Sequence, residues 1–486
     1  MVKLSIVSAL MFGTSSLPAL SFSHPTKVFS DEYVTQTVDW ISQEGIQCGQ
    51  NTHAMCDTTH VEFNDGAHDP ARVDSRQTVL VLDSGMDLAS VLRYRSRIKA
   101  HYSYDVSSQT FVESNPSVAI SKLGKKLLTE LDQFQYTDFN TQQQKPGFLA
   151  SAWLRDLALA YGAAAPADTA DHVTGVTHFS HGSKVLGYLA QHNPRAEFVL
   201  IDTASFLPLL QHTSLVCDKD HDALSSYMQT AASSLRTDVI DEHGVEYVNY
   251  SGGFTRSHVQ QAWQQNECSG SLSDSRAKKL LESLKPVYQT LFESPKTLGI
   301  QSGKRDTSSN ADALDVIEYV NRIRVQPYTT ETFDTNVSVY GDSGWQHVFD
   351  KFKSEFDGNQ SIDMYVNFGY GRVNFFQRNQ TPKMTSDMFG MQYAPDWALL
   401  SSSWAAPVVT SHAINTQSKV YEVNPHAVFS PNLLKNQLIS YNCYNYGGYY
   451  SWSLYQFIRN GSNQCRIQDP LKHRSDELNR LGYLAQ

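Results

Sequence analysis

Residues 78–82 read Thr-Val-Leu-Val-Leu and are followed at once by Asp83, Ser84 and Gly85. An uncharged run with no polar alternation has no face to offer water, so it predicts a strand covered on both sides, as in a parallel sheet between two layers of helices. The expected fold class is therefore α/β, with three layers around a mostly parallel sheet. Asp83 ends this strand, and the carboxyl edge of such a sheet is where ligands and reacting groups collect.

Two later stretches have matching local logic. His181-Gly182-Ser183-Lys184-Val185-Leu186-Gly187 opens a helix pattern in which Val185, Leu186 and Leu189 share a face, which sets the imidazole at the positive helix end. A turn at Pro194 and the apolar run Phe198, Val199, Leu200 and Ile201 then complete a helix followed by a parallel strand. In Ser401-Ser402-Ser403-Trp404-Ala405-Ala406-Pro407, a serine precedes small residues, a proline and an apolar helical continuation, so it sits at a helix start. Further helices are expected over 118–133, 148–163, 222–235 and 274–292. Strands are expected over 246–250, 297–302, 336–341 and 362–366.

A serine hydroxyl is a weak nucleophile at neutral pH. It needs an imidazole to take its proton and a carboxylate to hold that imidazole in the right tautomer. Asp83, His181 and Ser403 occur in that chain order, each at a strand end or helix start. Over 79–411 these blocks resemble the subtilisin-like serine proteases, whose motifs are an Asp-Ser/Thr-Gly strand end, a His-Gly-Thr helix start and a Gly-Thr-Ser-Met-Ala-Ala-Pro nucleophile helix.

The resemblance implies a three-layer subtilisin-like fold and a serine endopeptidase. Such an enzyme hydrolyses peptide bonds of protein or peptide substrates through an acyl-enzyme intermediate. It also assigns the strand end Ser251, Gly252 and Gly253 to substrate binding, where an extended peptide adds to the exposed backbone and the glycines leave room for a side chain. The match breaks where the family has an oxyanion-binding Asn; loss of such a donor costs about 3–4 kcal/mol of transition-state stabilisation. Lys304 aligns with that position, with Gln301 and Asn310 as the neighbouring amides. Ser401 and Ser402 also replace the family's Gly and Thr. These departures leave an alternative reading, a catalytically impaired peptide-binding protein that keeps the groove. The resemblance leaves calcium open as a ligand, since the family often binds it, although the sequence has no compact Asp-x-Asp-x-Asp loop that would mark a site.

The rest of the chain frames this reading. Residues 1–21 hold Lys3, an apolar run over 4–12 and Ala19-Leu20-Ser21, the pattern of an export signal cleaved near Ser21, which implies a secreted or periplasmic protein. A formal net charge of -10 argues against a nucleic-acid partner, which calls for a basic face. No later segment has the roughly 18 uninterrupted apolar residues of a membrane span. Residues 22–75 read as a polar arm too short for an inhibitory pro-domain. Residues 76–430 form the peptidase domain, with insertions between Asp83 and His181, and 431–486 form a tyrosine-rich extension. Six cysteines suit an oxidising compartment, and because short loops close most readily the expected pairs are Cys48 with Cys56, Cys217 with Cys268, and Cys443 with Cys465.

Overall fold

In the computed structural model, every residue of strand β1 (Thr78–Asp83) is buried. The structure describes residues 27–28, 31–63, 75–86, 88–132, 134–137, 144–146, 151–166, 181–193, 195–202, 216–217, 221–303, 312–328, 362–367, 385–392, 402–445 and 465–468. The remaining strands of the main sheet are β2 (Ile98–Asp105), β3 (Thr110–Ser114), β4 (Glu197–Asp202), β5 (Tyr247–Tyr250), β6 (Leu298–Ser302), β7 (Arg322–Tyr328), β8 (Met364–Asn367) and β9 (Cys465–Gln468). They lie in the order β9-β8-β7-β6-β5-β1-β4-β2-β3, all neighbours parallel except the antiparallel hairpin β2–β3. The chain thus leaves β1 for one side of the sheet, lays down β2 to β4, and crosses back to β5 on the other. That reversal opens a crevice at the carboxyl ends of β1, β4 and β5.

Alternation along β1 divides the interior. Leu80 and Leu82 enter one core with Val199, Ile201, Val248 and Tyr250, while Val79 and Val81 enter the other with Phe198, Leu200, Tyr247 and Ile300. Each such aliphatic side chain, fully buried, contributes about 1.5–3 kcal/mol. Among the described residues the α-helices are α1 (Asp31–Gln43), α2 (Lys122–Leu131), α3 (Ser151–Ala164), α4 (His181–His192), α5 (His221–Ser234), α6 (Arg256–Gln265), α7 (Asp274–Ser283), α8 (Lys285–Phe292), α9 (Ser402–Val423) and α10 (Pro431–Asn445). The first core is covered by α5 to α8, the second by α4, α9 and α10. This is the three-layer, mostly parallel α/β arrangement that the patterning of 78–82 predicts.

The helix expected over 118–133 begins later. Residues Ser117–Ser121 are a strand paired antiparallel with Thr58–Glu62, and Ser121 caps α2 by accepting from the Gly124 N–H. Val118 and Ile120 favour the strand, and the serine hydroxyl marks where the helix can start. A third core joins α1, α2 and α3 to Met388 and Phe389. The helix expected over 274–292 is broken at Leu284 into α7 and α8, with Pro286 in the first turn of the second.

Beyond 431, α10 sends Leu434 and Leu438 into the second core and β9 pairs with β8. Disulfides join Cys48 to Cys56 and Cys217 to Cys268, two of the three expected pairs. The side chains of Cys443 and Cys465, the expected strand 336–341 and the signal segment 1–21 fall outside the described residues. Among the described residues no helix is long and apolar enough to cross a membrane.

Candidate active site

The site is built at the crevice where β1, β5, α4 and α9 meet. Asp83 ends β1, and its side chain is 1% exposed, against 39% for His181. His181 is the first residue of α4, and its Nδ1 lies 2.5 Å from Asp83 Oδ1. The same oxygen accepts the Ser84 N–H at 2.6 Å. Because a carboxylate can only accept, Nδ1 carries the ring proton and Nε2 keeps its lone pair. Burial raises the Asp83 pKa above the ordinary carboxylate value; its bond to His181, the Ser84 N–H and the nearby Ser251 hydroxyl pull in the other direction.

Gly182 allows this approach. Its N–H donates to the Ser84 carbonyl at 2.9 Å, so the start of α4 is stitched to the end of β1. A Cβ at Gly182 would lie 3.0 Å from Met86 Sδ and 3.2 Å from Asp83 Cβ. A side chain there would push the imidazole away from its carboxylate.

Ser403 is the second residue of α9, next to Trp404, whose indole stacks on the His181 ring at 6.2 Å between centroids. Pro407 lies four residues on. With no N–H, it cannot close the helical bond to the carbonyl of Ser403, and its ring crowds that carbonyl. The freed carbonyl accepts from Ser251 Oγ at 3.1 Å, while Ser403 Oγ donates to the Ser251 carbonyl at 3.4 Å rather than to the imidazole.

Behind this pair lies a buried polar chain. Asn249 Nδ2 donates to Ser251 Oγ at 3.0 Å, and Thr410 Oγ1 donates to Asn249 Oδ1 at 3.1 Å. Both Asn249 and Thr410 are fully buried between β5 and α9. A second link, Asn193 Nδ2 to Ser411 Oγ at 2.8 Å, ties α4 to α9.

The three residues singled out for nucleophilic chemistry therefore gather at one sheet edge, Asp83 and His181 hydrogen-bonded to each other and Ser403 to Ser251. Ser251, Gly252 and Gly253 run on from β5 beside them. The sequence reading missed Asn249, Thr410 and the role of Pro407; the spacing of a proline four residues after a helix-start serine was the available signal.

Gln301 is not an oxyanion donor. Its side-chain N–H groups are committed to the Gly252 carbonyl at 3.1 Å and Asp315 Oδ1 at 2.8 Å. Lys304 and Asn310 lie outside the described residues. Among the described residues no group of three or more His, Cys, Asp or Glu is arranged to hold a metal ion.

No protein-family model matches this chain, and no curated protein matches it. Among solved structures, the crystal structure of a lanthipeptide protease aligns with a TM-score of 0.32 and 13% sequence identity, covering 78% of this chain and 83% of that one.

Proposed function

We propose that this chain is an exported serine endopeptidase of the subtilisin-like type, with Ser403 as nucleophile, His181 as general base and acid, and Asp83 as the group that orients the imidazole. The observation that carries the reading is the Asp83–His181 hydrogen bond, with a buried carboxylate on Nδ1 and a half-exposed ring beside a helix-start serine.

An extended substrate pairs with the edge 251–253, and its N–H donates to the Ser251 carbonyl, displacing the Ser403 hydroxyl that occupies it in the resting site. The hydroxyl turns to His181 Nε2, gives up its proton and attacks the carbonyl carbon, and the imidazolium is stabilised by Asp83. The imidazolium then protonates the leaving amine, and water repeats the sequence on the acyl-enzyme. The Ser403 N–H, one of the first four of α9 and so without a helical acceptor, faces the developing oxyanion. Lys304 or Asn310 supplies the second donor. The departing residues Ser401 and Ser402 leave this triad intact.

A fluorophosphonate probe followed by peptide mapping tests the assignment. Labelling of Ser403, lost in Ser403→Ala together with hydrolysis of an unstructured protein, is the expected result. A folded protein that binds peptides but takes no label is a binding protein instead; a label on Ser401 or Ser402 moves the nucleophile.

A further inference from the structure

We propose that Gln301 is a positioning residue for the substrate-receiving edge, fixing the Gly252 peptide so that Ser251 and Gly253 present their backbone to an extended peptide chain; this rests on the peptidase reading above. The pairing of β5 with β6 ends at Tyr250 opposite Gln301. Beyond that point the Gly252 carbonyl has no strand partner among the described residues, and the Gln301 side chain supplies one, its Nε2 donating at 3.1 Å with Ser302 Oγ adding a weaker contact at 3.5 Å.

Along an extended chain successive peptide groups point to opposite sides. The Ser251 N–H donates to Leu82 O of β1 at 3.3 Å, and the Gly252 carbonyl turns the other way, to β6. In an extended continuation of β5 the Gly253 backbone would face back over the end of β1, where Asp83 and His181 lie. Holding one carbonyl sets the direction of both flanking residues.

Gln301 is itself immobilised. It is 1% exposed; its second N–H donates to Asp315 Oδ1, and its Oε1 accepts from the guanidinium of Arg322 at 3.0 Å. Arg322, also 1% exposed, donates further to the carbonyls of Leu314, Asp315 and Ile317 and stacks on Tyr319. Burying an amide and a guanidinium is costly even when every group is paired, and well-packed apolar side chains often serve stability as well or better. The cluster earns its place by orientation: a Cβ at Gly253 would lie 3.2 Å from Gln301 Nε2 and 3.1 Å from Asp315 Oδ2, so glycine lets the edge lie against the clamp.

The test compares Gln301→Leu and Gly253→Ala with wild type on two substrates, an unstructured hexapeptide and an acetylated single-residue ester with fewer N–H groups for the edge. Fluorescence anisotropy measures affinity for the labelled hexapeptide in the Ser403→Ala background. Expected are a loss of kcat/KM at least tenfold larger for the hexapeptide than for the ester, carried by KM, and about tenfold weaker hexapeptide binding. Equal losses on both substrates, or undiminished hexapeptide affinity, overturn the proposal. Should Gln301→Leu not fold, Gly253→Ala decides by the same criteria. If wild type neither cleaves nor labels, the binding measurement still decides on Gln301, while the peptidase reading fails separately.

Discussion

Ser251 and Ser403 hold each other reciprocally, each hydroxyl donating to the other's carbonyl, at 3.1 Å from Ser251 and 3.4 Å from Ser403. Removing the Ser251 hydroxyl strips the Ser403 carbonyl of its donor, orphans one N–H of buried Asn249 and withdraws a dipole from the Asp83 carboxylate. Ser251→Ala should lower kcat about tenfold or more, on the scale of 1–3 kcal/mol for an unsatisfied buried polar group, with KM little changed. Steady-state kinetics on a peptide substrate check it; a loss confined to KM would place the hydroxyl in ground-state binding.

Pro407→Ala separates helix stability from function. The new N–H can reclaim the Ser403 carbonyl and compete with Ser251, so the helix is favoured while Ser403, the proposed nucleophile, is held less well. The expected result is a Tm equal to or above wild type with reduced kcat. A lower Tm with unaltered kcat would leave the proline a packing role only.

Burial keeps the Asp83 pKa above its unfolded value, so ionising this carboxyl costs more in the folded than in the unfolded protein. The stability this contributes is complete below about pH 4, the unfolded value, and is lost as pH rises through the raised folded value. Asp83→Asn, which stays neutral throughout, should therefore match wild type in Tm near pH 4 and exceed it toward neutral pH, while hydrolysis is abolished. Thermal melts across that range test it, and a constant difference at all pH values would contradict it.

The two disulfides should differ in worth because they close loops of different length, with sequence separations of 8 and 51. Chain-entropy scaling gives about 2.5 kcal/mol for Cys48–Cys56 and about 4 kcal/mol for Cys217–Cys268. Denaturant unfolding of the paired Cys→Ser variants measures the order, which reverses if residual structure already closes the longer loop.

The residues that carry the proposed chemistry were legible because each ends or begins an element with its own periodicity: Asp83 after an unbroken apolar run, His181 and Ser403 before apolar helical faces. Strand β7 was not. Its Ile323 and Val325 point into one core, but Arg322, Arg324 and Gln326 fill the other side and are equally buried. Such a pattern reads as a strand with one face in water, and only partners on distant segments, Gln301 and Asp363 among them, make the polar face an interior one. Strand β2 was missed for a related reason, since Lys99, His101 and Ser103 interrupt its buried Ile98, Ala100, Tyr102 and Tyr104.

Strand β1 is the first of the main sheet to be synthesised, yet it lies inside the sheet, between β4 and β5. Neither neighbour can pair with it until much more of the chain exists, and sheets assembled from such distant segments fold slowly. During that interval Val79, Leu80, Val81 and Leu82 form an uncharged, β-prone window with no partner of their own, the kind of segment that other unfolded chains capture. The segment best protected from water in the finished protein is thus the most adhesive one in the nascent chain, and the yield of folded protein depends on keeping it solitary until β4 and β5 arrive.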